Sequence, residues 1–344
     1  MQDDLFGDAA DPPKPTTQPV KPATRSRSVQ PAPPDADELS LASQLPPLVH
    51  LGCSSWSYPG WTGTVWAERY SETQLAKQGL SAYGQHPLLG AVSIDRGFYR
   101  PLAASEFERL AQQVPESFRF TVKGPSFVTD ALVRGERGQG ESLNPGFLDG
   151  ELARREFVEP AIEGLGAKLG ALVFQLSPLP PQLRRRMPEL LQRLDTMLAA
   201  LPPLPQGVVA IEVRDPQWLC PEFAAVLKTR GARYCLGLHP KLPPIDEQLP
   251  LLRALWPGPL VCRWNLHRKH GAFGYEDAVA EYGEFERMQD PDLETRQTLA
   301  RVIRATAEAG QPCYVTISNK AEGSAPWSVR ELARAVVSES VAGG

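Results

Sequence analysis

Paired cysteines are missing from this chain. Its five, at positions 53, 220, 235, 262 and 313, include no C-x-x-C pair. That excludes a disulfide frame and the common zinc spacings, and leaves reduced thiols. An excess of basic charge is missing too. With a net charge of −4 and a pI of about 5.8, no global field advertises nucleic acid or an anionic membrane, although a local basic pocket stays open. No basic-then-apolar leader opens the sequence, and no apolar run approaches a membrane span. The expectation is a soluble, cytoplasmic protein without a membrane partner. Neither G-x-G-x-x-G nor G-x-x-x-x-G-K-[ST] follows any strand-like run, so a dinucleotide or P-loop site has no support.

What is present is regular. The 344 residues are 42% hydrophobic, enough for one large core or two ordinary ones. Eight prolines fall between positions 12 and 34, among Thr, Ser, Ala and Lys. Residues 1–47 therefore read as an extended linker or disordered tail, with order beginning near Leu48. From there, eight short apolar runs recur: LVHLGCSS, AVSID, FRFTVK, ALVFQL, VVAIEV, RYCLGL, LVCRWN and CYVTIS. Most are continuously apolar, as strands covered on both faces are. Helical segments separate them. In ASEFERLAQQV, Phe107, Leu110, Ala111 and Val114 form one stripe, with Ser105 as the expected N-cap. ETRQTLARVIRATAEAG presents Leu299, Val302 and Ile303 and stops at Gly310, a natural helix end. Further helices are expected near 71–84, 151–168, 183–200, 220–230, 246–255 and 328–338. Eight strand–helix units predict an α/β fold, a (β/α)8 TIM-type barrel over 48–340; an open doubly wound sheet is the alternative.

In a barrel the chemistry sits at the carboxyl ends of the strands. There stand Ser54, Ser55, Trp56 and Tyr58; Asp95 and Arg96; Lys123; Gln175; Glu212, Arg214 and Asp215; His239; Arg263 and Asn265; and Ser318, Asn319 and Lys320. Lys123, Arg214 and Arg263 suggest a site for phosphate or carboxylate, in a phosphorylated sugar, a nucleotide or a nucleic-acid backbone. The opposing reading has them paired with Glu212, Asp95 and Asp215 in a structural network. Glu212 is the candidate general base, and Lys123 a candidate Schiff-base nucleophile if neighbouring cations depress its pKa. Gln175, Asn265 and Asn319 are candidates for orienting a substrate. Trp56, Tyr58, Trp61 and Tyr99 offer stacking faces, or a packed loop. Asp95, Asp130, Glu212, Asp215 and His239 share no metal-ligand spacing, and no metal is expected. Two long loops, 124–150 and 264–292, are candidate lids.

LGCSSWSYPGW, FYRPL, FRFTVKGP, KLGALVFQLSP, VVAIEVRDPQW and VTISNKAEGSAP, in that order, resemble the family known as domain of unknown function 72, also described as YecE-like. The resemblance covers about 48–340 and implies a TIM-type barrel but no reaction and no cofactor. It retains Trp56, Tyr58, Tyr99, Lys123, Gln175, Glu212, Arg214, Arg263 and Asn319. It departs at Ser93 and Asp95, where Glu and Asn are usual. It departs also at Asp130, Asp215 and near Asn265, where His is usual, and at Lys320, where Asp is usual. Lost histidines place inherited acid–base chemistry in doubt. The readings are an anion-binding barrel enzyme, hydrolytic or isomerising; a non-catalytic binding or adaptor barrel; and a metal-dependent sugar isomerase or endonuclease.

At the N-terminus, QDDLF resembles the Gln-Leu-Ser/Asp-Leu-Phe motif that docks bacterial polymerases and repair proteins on the sliding clamp. Gln2, Asp4, Leu5 and Phe6 match, and Asp3 replaces Leu. The resemblance implies recruitment to replication or repair through a flexible spacer; the alternative is a chance match.

Overall fold

The computed structural model describes residues 28–135 and 139–338. Eight parallel strands close into a ring. In chain order they are β1 (Val49–Cys53), β2 (Ala91–Ile94), β3 (Arg119–Lys123), β6 (Leu169–Gln175), β7 (Val208–Glu212), β8 (Arg233–Leu238), β9 (Leu260–Trp264) and β10 (Cys313–Ile317); β4 (Leu132–Arg134) and β5 (Gly140–Leu143) form a separate antiparallel hairpin. The ring order β1-β10-β9-β8-β7-β6-β3-β2 places the strands round the barrel in sequence order, with β4 and β5 set apart. Closure comes from β1 on β2, where Gly52 pairs with Ala91 and Cys53 with Val92. A Cβ on Gly52 would sit 1.7 Å from the Ala91 carbonyl oxygen, so only glycine lets these strands meet. The sheet is closed, not open.

All eight strand-like runs become barrel strands, and the predicted helices pack outside them. Phe107, Leu110, Ala111 and Val114 are buried, as is Leu299. Helix Leu293–Glu308 ends before Gly310, whose φ of +70° is the left-handed stop. Ser105 is not the N-cap expected of it: the helix starts at Ala104, and Glu106 takes the Ala103 backbone N–H at 3.1 Å. Inside the ring, Ala171, Val173, Ala210, Cys235, Val261 and Tyr314 form a small apolar plug, separate from the main core between sheet and helices.

Ordered structure begins well before Leu48. Ala32 N–H donates to the Val65 carbonyl at 2.9 Å, and Ala67 N–H to that of Gln30 at 3.0 Å, with Val29 and Ala32 buried. A helix follows at Ala36–Gln44, opened by a reciprocal capping box between Asp35 and Glu38. Its acidic first turn meets the C-terminal helix Ala325–Ser338, where Arg330 pairs with Asp35 at 2.9 Å and with Asp37 at 2.7 Å. Proline-rich composition argued for a linker here; local capping and ion pairs to a helix 290 residues away decide otherwise. Among the described residues, no helix is long and apolar enough to cross a membrane.

Candidate functional site

Strand side chains alternate, so the inward residue two positions beyond the plug reaches the mouth. After Val173 on β6 comes Gln175, and after Ala210 on β7 comes Glu212, its register partner. After Val261 on β9 comes Arg263, opposite Gly237 of β8. A Cβ on Gly237 would stand 3.1 Å from Leu242 Cδ1, a tight approach, and in ordinary contact with Arg214 Nη1 at 3.5 Å. Asp95 and Lys123 arrive by the same alternation from β2 and β3.

These residues interlock. Arg263 Nη1 donates to Glu212 Oε2 at 2.7 Å and to Gln175 Oε1 at 3.0 Å, while its Nη2 donates to Asp95 Oδ2 at 2.6 Å. Arg214 donates to Glu212 Oε1 and, at 3.1 Å, to Gln175 Oε1. Asn265 Nδ2 donates to Glu212 Oε1 at 3.1 Å, and Ser93 Oγ to Asp95 Oδ1 at 2.5 Å. Glu212 is fully buried. Burial alone would raise its carboxyl, but Arg214 and Arg263 hold it down at about 2. Burial likewise opposes the Arg263 charge, and Asp95 and Glu212 more than restore it. Two carboxylates and two guanidiniums therefore form a neutral floor.

Above that floor lies a cavity of about 540 Å³, lined by strand ends and by Lys241, Phe273, Tyr275 and Lys320 from the following loops. Three lysines face it. Among the described residues none has an ion pair or hydrogen bond at its ammonium; each stands over an aromatic ring instead. Lys123 Nζ lies 3.8 Å from the Phe98 centroid, Lys241 Nζ 4.4 Å from Phe273, and Lys320 Nζ 5.6 Å from Phe285. Burial lowers all three amines, Lys123 to about 8. His239 is pushed down to about 3 by burial and then by Arg214, so it is neutral at pH 7. Its Nδ1 accepts the Lys241 backbone N–H at 3.0 Å.

The mouth thus gathers Tyr58, Asp95, Tyr99, Lys123, Gln175, Arg214, Arg263 and Asn265 from the expected set. Two expected members are elsewhere. Asn319 is buried, and its Oδ1 accepts from Trp61 Nε1 at 3.2 Å and from the Ala325 N–H at 2.8 Å, fastening loop to helix. Trp56 is buried and lines a smaller neighbouring cavity of about 190 Å³. Trp61 is fully packed, stacked between loop aromatics. Nor is Glu212 placed as a general base: both oxygens accept from cations or amide, and its carboxyl is held far below neutral pH.

Among the described residues, Asp95, Asp130, Glu212, Asp215 and His239 form no ligand cluster. Asp130 pairs with Arg134 at 2.8 Å, and Asp215 accepts the Leu179 N–H at 2.8 Å. Among the described residues, the His, Asp and Glu side chains close enough to share an ion are His270, Glu281 and Asp290, and Lys269 already bridges the two carboxylates. Of the long loops, 264–292 carries helix Tyr275–Tyr282 and supplies Phe273 and Tyr275 to the mouth. Loop 124–150 carries the β4–β5 hairpin and walls an adjoining groove. Lys320 is among the strand-end residues the sequence points to, although not among the candidate ligand contacts; Lys241, three positions beyond the end of β8, is a site residue the sequence reading does not name. Gln2, Asp4, Leu5 and Phe6 lie outside the described residues.

Ring, plug and strand-end cavity agree with the match of residues 50–342 to the model of "Protein of unknown function DUF72". The chain belongs to the DUF72 family. Solved DUF72 structures share the fold. One from Thermotoga maritima MSB8 aligns with a TM-score of 0.51 at 20% identity, covering 83% of this chain and 98% of its own. One from Enterococcus faecalis V583 aligns with a TM-score of 0.50 at 17% identity, covering 84% and 96%. No curated protein sequence matches. At these identities the DUF72 relatives establish the architecture alone.

Proposed function

We propose that the barrel mouth binds a small anionic ligand, through phosphate or carboxylate oxygens held by Lys123, Lys241 and Lys320. One observation carries this reading: the arginines of the floor are bonded to carboxylates, whereas the three lysines above them make no direct ion pair among the described residues. Unmatched cations around a concave site are what an anion neutralises. The volume suits a small molecule, and Gln175, whose oxygen is committed to the arginines, has its amide nitrogen left for the ligand. Tyr99 and Phe273, both more than four-fifths exposed, supply rim faces for a sugar or base.

Isothermal titration with inorganic phosphate and with a sugar phosphate at low salt tests this. Binding that weakens with ionic strength is expected, with about tenfold lost for each of Lys241→Ala and Lys320→Ala, the worth of one charge-assisted hydrogen bond. No heat with either anion would end the proposal. Residues 2–6 add a second proposed interaction, docking of QDDLF on a sliding clamp, carried by the four matching residues.

A further inference from the structure

We propose that Lys123 is a nucleophile whose ε-amine condenses with the carbonyl of an aldehyde or ketone, the anionic group of that same molecule resting on Lys241 and Lys320. This rests on the anion-binding reading of the mouth and assigns the ligand a second functional group.

The argument begins with residue choice. The chain has nine lysines and, of 36 basic residues in all, 27 arginines. Where the site needs permanent charge, at its floor, it uses Arg214 and Arg263, which cannot give up a proton. Where the amine faces open cavity it uses lysine, three of the nine. Lys123 differs from the other two in sitting at a barrel strand's carboxyl end, beside the paired floor.

Its surroundings then favour the free amine. Asp95 from the end of β2 and Glu212 from β7 would hold a proton on it, and Arg263 from β9 and Arg214 after β7 oppose that. Both carboxylates are already bonded to the arginines, so the charges roughly cancel. The Phe98 ring, 3.8 Å from Nζ, attracts the ammonium through its π face but offers no hydrogen bond of ordinary strength to hold its proton. Desolvation decides, and the amine falls to about 8. At pH 7 about a tenth is then unprotonated, against a few parts in ten thousand for an ordinary lysine. A desolvated lysine among cations is the setting in which Schiff bases form.

The step balances without an external reagent. The amine nitrogen attacks the carbonyl carbon, the carbon–oxygen π bond breaks, and a proton passes from nitrogen to oxygen to give the carbinolamine. Loss of that oxygen as water leaves a protonated imine. Overall, Lys-NH3⁺ and R–CHO give Lys-NH⁺=CHR and H2O.

Pyridoxal 5′-phosphate is a suitable probe, since it carries an aldehyde and a phosphate. The full chain is incubated with it at pH 7.5, reduced with sodium borohydride, and mapped by peptide mass spectrometry. One equivalent of reduced adduct is expected on Lys123, formed faster as pH rises through 8 and slowed by inorganic phosphate. Lys123→Arg should lose the adduct, because a guanidinium does not release the proton that imine formation requires. Absence of a reduction-stable adduct at Lys123, or label spread over surface lysines with Lys123 spared, overturns the proposal whatever phosphate does. Phosphate that neither binds nor protects, with Lys123 still labelled, overturns the anion-binding reading and leaves the nucleophile standing.

Discussion

Glu212 illustrates how a side chain can look catalytic in sequence and be structural in space. Three donors hold its carboxylate, and it is the anion that keeps two buried guanidiniums tolerable. Glu212→Gln should therefore lower unfolding free energy by about 3–5 kcal/mol, the cost of breaking a buried pair, as read from a urea midpoint; a mere base would leave that midpoint in place. The pH dependence follows from signs. Glu212 is held at about 2 against an ordinary 4.5, so its stabilisation is complete above 4.5 and disappears as pH falls towards 2. His239 is lowered from 6.5 to about 3, so the unfolded chain takes up its proton first and stability begins to fall below pH 6.5. Thermal melts from pH 7 to 4 should show this loss, and His239→Gln should flatten its upper part. Lys123 runs the other way. Lowered from 10.5 to about 8, it carries a penalty that is full below 8 and relieved as pH rises to 10.5. Lys123→Met should raise the melting temperature at pH 7, by a margin that shrinks towards pH 10.

Elements were legible to the degree that their residues repeat. The eight barrel strands are apolar on both faces and could be read directly. The β4–β5 hairpin could not: LVR and GESL are short and largely exposed, with no periodicity to betray them. The helix at Ala36–Gln44 was hidden differently. Its capping residues Asp35 and Glu38 have the right spacing in sequence, yet the prolines before them dominated the composition. Asp35→Ala removes both the cap and a partner of Arg330, and should cost about 1–2 kcal/mol. Deleting residues 1–27 should leave the melting temperature close to that of the full chain, whereas deleting 1–44 should lower it by several degrees, because the second deletion exposes the face of the C-terminal helix.

At the scale of the molecule, closure of the ring brings Asp95, Lys123, Glu212 and Arg263 to one cavity. The QDDLF segment belongs to this scale too, since its proposed effect is to bring the whole barrel to DNA. A peptide of residues 1–10 is expected to bind a bacterial sliding clamp with about micromolar affinity, lost on Phe6→Ala; a flat titration with the full chain would end that proposal. Sequence alone determined the eight strands, their parallel order, the family and most of the mouth residues, because apolar runs and strand-end positions are local properties. Tertiary structure alone decided which cations are spent. In the mouth, ion pairing depends on angstrom-scale distances between residues as far as 168 positions apart, as in Asp95 and Arg263. No linear pattern states that the arginines meet carboxylates while the lysines do not.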